Sequence, residues 1–144
     1  MRRLLYALAG VAMLLWQAQS LAVEPAASQA WIRVLPGDLP LAGYLVLTNP
    51  GERTLTLVGA HSPAFSQIEM HRSADQSGVA RMMRVEQVAI APGGRLAFAP
   101  GGYHLMLFGR TRTLQAGDDV SITLEFADGE RLTVPFALRE ATAR

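Results

Sequence analysis

From Ala30 onward, apolar stretches of about five to nine residues alternate with clusters of Gly, Pro, Asn, Asp and Ser, the pattern of an all-β sandwich or barrel. The spacing predicts strands in "AWIRVL" (30–35), "AGYLVLTN" (42–49), "LTLVGAHS" (55–62) and "QIEMHR" (67–72). It predicts further strands in "MMRVEQVAI" (82–90), "RLAFAP" (95–100), "GGYHLMLFG" (101–109), "DDVSITLEF" (118–126) and "RLTVPFAL" (131–138). In the segment before Ala127 the alternation is clean: Val120, Ile122, Leu124 and Phe126 oppose Ser121, Thr123 and Glu125, giving one buried and one wet face. Asp128-Gly129 between two such runs is a hairpin signal. "SADQSGVA" (73–80) reads as a polar loop, and "SPAFSQ" (62–67) could make one helical turn. No other helical periodicity, internal repeat or second domain follows. Trp31, Tyr44, Phe98, Phe108 and Phe126 fall in strands and are expected in the core.

The first 22 residues have a different character. Arg2 and Arg3 precede an apolar run from Leu4 to Trp16, and Ser20 and Ala22 are spaced as a cleavage site after Ala22 requires. These are the marks of a secretory signal peptide. The run is well short of the roughly 20 residues that span a bilayer, so stable membrane insertion is not expected. No cysteine follows it, which excludes lipid attachment there. The expected organisation is a signal peptide (1–22), a flexible lead (23–29), one β-sandwich domain (30–138) and a C-terminal tail (139–144), exported to the periplasm.

Cleavage after Ala22 leaves 11 arginines against 12 carboxylates and no lysine. The basic residues do not cluster, so a nucleic-acid partner has no electrostatic support. The chain has no cysteine. The domain must hold together by packing alone, and any soft-metal site must do without thiolate. No nucleophile–base pair, paired catalytic carboxylates or phosphate loop is visible, so an enzyme is not expected.

The chemistry lies in histidine and methionine. Beyond residue 22 the chain has three histidines and four methionines. Met70 adjoins His71, Met82 adjoins Met83, and His104 and Met106 stand two apart. In a strand, side chains alternate with period two. His104 and Met106 therefore share one face, and Tyr103, Leu105 and Leu107 the other. Methionines serving only as filler would scatter more widely. Thioether with imidazole is a neutral donor set that selects Cu(I). Zn(II) would prefer His with Cys or carboxylate.

His71 is followed by ten residues and then Met82; a further 21 residues lead to His104, Leu105 and Met106. This His-x10-Met-x21-His-x-Met spacing resembles the motif of the PCu(A)C family of periplasmic copper chaperones and matches it at every interval. "AWIRVLP", "AGYLVLTNPGE", "SPAFSQIEMH", "APGGRLAFAPGGYHLMLFG" and "LQAGDDVSITLEFADG" resemble family segments in family order, over roughly residues 29–138. The resemblance implies a cupredoxin-like, Greek-key β-sandwich. It implies one Cu(I) per chain, held by His71, Met82, His104 and Met106. It also implies a monomeric carrier serving assembly of the binuclear copper centre of cytochrome c oxidase. A thioredoxin-like SCO-family copper protein and oxidase subunit II would be its partners. The Met- and His-rich tail of some members is absent from "FALREATAR", so a second copper site is not expected. Met70 and Met83 are expected to point away from the copper, into the core or behind the ligands. His61 reads as an exposed turn residue. Glu69 and Glu86 read as solvated strand residues, with orientation of a histidine through its second nitrogen as the alternative. A copper-storage protein and a structural β-sandwich without a metal role are the other classes the sequence allows.

Overall fold

The computed structural model describes residues 24–142, so the leader read in residues 1–22 lies outside the described residues. Ten strands follow in chain order: β1 (Ala26–Val34), β2 (Leu41–Thr48), β3 (Leu55–His61), β4 (Phe65–Gln76), β5 (Val79–Arg84), β6 (Val88–Ile90), β7 (Arg95–Phe98), β8 (Tyr103–Arg110), β9 (Asp119–Phe126) and β10 (Arg131–Glu140). There is no helix among the described residues; "SPAFSQ" makes a short turn at 63–64 and enters β4. The hydrogen-bonded order is β5-β4-β8-β7-β2-β1-β10-β9-β3-β6, with β8 also pairing with β2. The architecture is a cupredoxin-like β-sandwich, as the motif resemblance implied.

The core shows why the two halves of the ladder pack face to face. Its fully buried side chains come from both halves of the strand order. Leu41, Leu45, Leu47, Leu105 and Leu107 stand on β2 and β8, and Ile32, Leu57, Ile122, Leu124 and Phe136 on β1, β3, β9 and β10. Burying each is worth about 1.5–3 kcal/mol, and neither half can bury them alone. Strand β9 follows the predicted alternation, with Val120, Ile122, Leu124 and Phe126 buried. Asn49 is buried without loss because its amide donates to the Arg53, Ile90 and Ala91 carbonyls and its oxygen accepts from the Gly51 N–H.

Four sequence expectations are corrected. Residues 26–29 are not a loose lead: Ala26, Ala27 and Ser28 pair with Thr48, Leu47 and Val46 before a bulge at Gln29 (φ +53°). β10 likewise runs two residues into the expected tail. The expected loop at 73–80 is a tight hairpin. Gln76 pairs with Val79 across Ser77 and Gly78, whose φ values of +58° and +78° are those of a two-residue turn that matches strand twist. This hairpin fixes the register of β5. Of the five aromatics expected in the core, Phe98 and Phe126 are there; Tyr44 is buried but packs on Trp31 on the outer face, and Trp31 and Phe108 are only half buried on that face.

Candidate metal centre

Strand β8 lies beside β4, with His71 directly opposite His104 and Glu69 opposite Met106. Across the hairpin, β5 sets Arg84 opposite His71 and Met82 opposite Ser73. Period-two alternation then puts Glu69, His71, Met82, Arg84, His104, Met106 and Phe108 on one face of the three strands. Their in-between neighbours Met70, Leu105 and Leu107 are buried in the core. All four motif residues thus share one face, and the two histidines face each other. Their ring centroids are 5.7 Å apart and tilted by 55°.

Each imidazole has one nitrogen engaged and one left over. His71 Nε2 lies 2.8 Å from a Glu69 carboxylate oxygen. The other Glu69 oxygen accepts from Gln67 at 2.6 Å and pairs with Arg84 at 3.3 Å. His104 Nδ1 makes a long contact of 3.4 Å with the Gly102 carbonyl. Carboxylates and carbonyls only accept, so in the neutral rings the proton sits on the engaged nitrogen. The lone pairs are then on His71 Nδ1 and His104 Nε2. These two atoms are buried and have no hydrogen-bond partner. A buried polar atom without a partner costs free energy, and here two stand on facing rings.

His104 is 4% exposed. Burial pushes its pKa below the usual histidine value, the Gly102 carbonyl partly opposes this, and the nearby His71 adds to the lowering. A neutral ring with a free lone pair is the form that binds a metal. Among the described residues there is no group of three or more His, Cys, Asp or Glu able to hold a metal. The soft donors beside the histidines on this face are thioethers. Met106 is half buried beside His104, and Met82, 54% exposed, stands diagonal to His71 on β5.

The remaining candidates separate clearly. Met70 is in the core. Met83, opposite Arg72, points to the reverse face of β5 from Met82 and is 46% exposed, so of the two expected places the core is ruled out. His61 ends β3 in the other half of the sandwich and pairs with Glu125 at 3.3 Å. Glu86 is exposed and touches Arg84. Glu69 is not the solvated residue expected but the partner of His71. Gln67, Glu69 and His71 alternate along β4, so that contact was open to inference from spacing. The Phe108 ring, 6.4 Å from His71, walls the same face.

The family model of LpqE-like lipoproteins matches residues 26–138. The protein Lxx21020 of Leifsonia xyli subsp. xyli is 33% identical over 114 residues, 78% of this chain and 68% of that protein. Among solved structures, the solution structure of Cu(I)-DR1885 from Deinococcus radiodurans is 32% identical with a TM-score of 0.64, over 85% of this chain and 81% of that one. The copper-bound PCuAC domain from PmoF2 shares the fold at a TM-score of 0.68 and 23% identity, over 81% of this chain and 92% of that one. The PCu(A)C resemblance drawn from the motif is borne out by these neighbours.

Proposed function

We propose that this chain, which belongs to the LpqE-like lipoprotein family, is a copper carrier that binds one Cu(I) through His71, Met82, His104 and Met106. The observation that carries this reading is the pair of buried, unpartnered lone pairs on His71 Nδ1 and His104 Nε2, flanked on the same face by two thioethers. The donors fit the ion: soft thioether selects Cu(I), imidazole strengthens the set, and both are neutral, so the site gains only a single charge. The 32% identical Cu(I)-DR1885 supports the choice of metal.

The same geometry suits a carrier rather than an enzyme. Met82 lies on an exposed strand at the end of the strand order. A neutral thioether there can be exchanged for an incoming ligand without a proton step at sulfur, which lets the ion leave while the imidazoles still hold it. We assign the cargo's destination to the binuclear copper centre of cytochrome c oxidase, with a thioredoxin-like SCO-family protein and oxidase subunit II as partners, on the motif resemblance. Membership of a lipoprotein family supports export. The chain itself has no cysteine to carry a lipid, and we place it free in the periplasm as a monomer.

An anaerobic titration against a chromophoric Cu(I) chelator tests the binding. The protein should withdraw one equivalent of Cu(I), and absence of competition would refute the reading. Mixing the loaded protein with copper-free subunit II domain, with and without an SCO-family protein, tests the destination. Growth of the binuclear copper absorption is the expected result, and copper retained by the carrier in both mixtures would refute this assignment.

A further inference from the structure

We propose that the face carrying the copper site continues into an arginine–tryptophan patch that docks an acidic segment of the protein with which copper is exchanged; this rests on the carrier reading above. The continuity follows from register. Met106 pairs with Ala42, Ala42 with Arg33, and Arg33 with Arg139. This is one row across β8, β2, β1 and β10, so all four side chains stand on the outer face. With strands about 4.8 Å apart, Arg33 lies about 10 Å and Arg139 about 14 Å from Met106. A standard interface of about 800 Å² per partner has a radius of about 16 Å, so one partner covers both the metal and the patch.

The patch is built for an anion. Trp31 and Tyr44, opposite each other on β1 and β2, pack with ring centroids 4.8 Å apart and planes tilted by 40°. The Arg33 guanidinium lies 5.7 Å from the Trp31 ring and 5.5 Å from the Tyr44 ring, and that of Arg139 lies 5.5 Å from the Trp31 ring. The rings hold both cations in place. Like charges directly opposite on paired strands repel, and among the described residues no carboxylate pairs with either arginine. Arg33 Nε is in addition buried without an acceptor. A carboxylate laid against the two guanidiniums would accept from their outward N–H groups and relieve the repulsion. Beside them Gln29, Trp31, Tyr44, Ala97, Pro100 and Arg139 line a half-open cleft of about 300 Å³ that would take the segment's neighbouring side chain. Two arginines are too few for a lipid surface, which takes clusters of roughly four to eight basic residues. An acidic protein segment is therefore the occupant.

The test uses capped hexaglutamate as the probe in a heteronuclear NMR titration of the protein. The expected result is saturable shifts of the Trp31 indole N–H and the Arg33 and Arg139 Nε–H, weakened at least tenfold in Arg33→Gln/Arg139→Gln and by raised salt. Arg139→Gln alone, at an exposed position, keeps the test open should the double variant misfold. No shift at these groups, or equal shifts at the exposed Arg53, Arg81 and Arg95, would overturn the proposal. So would sedimentation with vesicles of 30% phosphatidylglycerol in the absence of peptide shifts, which would assign the patch to lipid. Chelator competition on the same samples should give a Cu(I) affinity within twofold of the parent in each variant. A parent that takes no copper would sink the carrier reading, whereas the peptide arm alone decides the docking.

Discussion

Replacing Glu69 with alanine should weaken Cu(I) binding by about 10- to 100-fold while leaving the fold intact. The magnitude comes from one contact. Glu69 accepts a hydrogen bond from His71 Nε2–H at 2.8 Å, on a side chain only 15% exposed. Hydrogen bonds to a charged group are worth about 1.5–3 kcal/mol, which is about one to two decades of affinity. Groups that orient a metal-bound histidine lose a similar factor when removed. The alanine variant frees the ring to turn, lets its proton move to Nδ1, and so removes the lone pair from the atom that should face copper. The loss elsewhere is small, because the Arg84 partner is 58% exposed and such a pair contributes at most about 1 kcal/mol. Glu69→Gln keeps an oxygen that can accept the same proton, at roughly half the strength, so its loss should stay under about tenfold. Glu86→Ala is the control: that carboxylate is 82% exposed and bound only to Arg84, and the variant should match the parent. Competition with a chromophoric chelator under anaerobic conditions reads all three. A Glu69→Ala affinity within twofold of the parent would refute the positioning of His71 by this carboxylate.

Two methionines should respond in opposite ways: Met70→Ala, in the core, costs about 2–5 kcal/mol in urea unfolding with copper stoichiometry unchanged, whereas exposed Met82→Ala changes copper-free stability by less than about 0.5 kcal/mol and lowers Cu(I) affinity. The depressed His104 pKa makes the unfolded chain bind more protons than the folded one between its folded value and the ordinary 6.5. Copper-free stability should therefore be complete above pH 6.5 and fall as pH drops towards 5, by no more than about 1.4 kcal/mol per unit from this group. Cu(I) affinity should fall over the same range as protons compete for imidazole; a flat affinity from pH 7 to 5 would remove the histidines from the site. At Gly109 φ is +60° and an added Cβ would collide with the Ser66 side chain, so Gly109→Ala should cost about 1–3 kcal/mol, part of it restored by Ser66→Gly in a double-mutant cycle.

Most strands were legible because their faces differ: period-two alternation at 120–126 and 103–107 separates wet from dry without any knowledge of the partner strand. Segments with little apolar content were harder. "SADQSGVA" lacks an alternating apolar face because the end of its hairpin is solvent-exposed, so only the Ser77-Gly78 turn geometry reveals two strands there. The placing of His104 and Met106 together needed only their spacing. The convergence of His71 and Met82 needed the β4–β8 and β4–β5 registers, which no local pattern specifies, and the motif resemblance stood in for them. Trp31 and Phe108 were misplaced for the same reason in reverse. Aromatic residues in strands favour the core, but here the Trp31 ring carries the Arg33 and Arg139 guanidiniums, and the Phe108 ring borders His71.

X-ray absorption spectroscopy at the copper edge, on protein loaded anaerobically with one equivalent of Cu(I), addresses the donor set itself. The account predicts a Cu(I) edge with two imidazole nitrogens and two thioether sulfurs. One sulfur should be lost in Met106→Ala and one in Met82→Ala, while Met83→Ala should keep both. A spectrum without sulfur scattering, or one unchanged by both Met82→Ala and Met106→Ala, would contradict it.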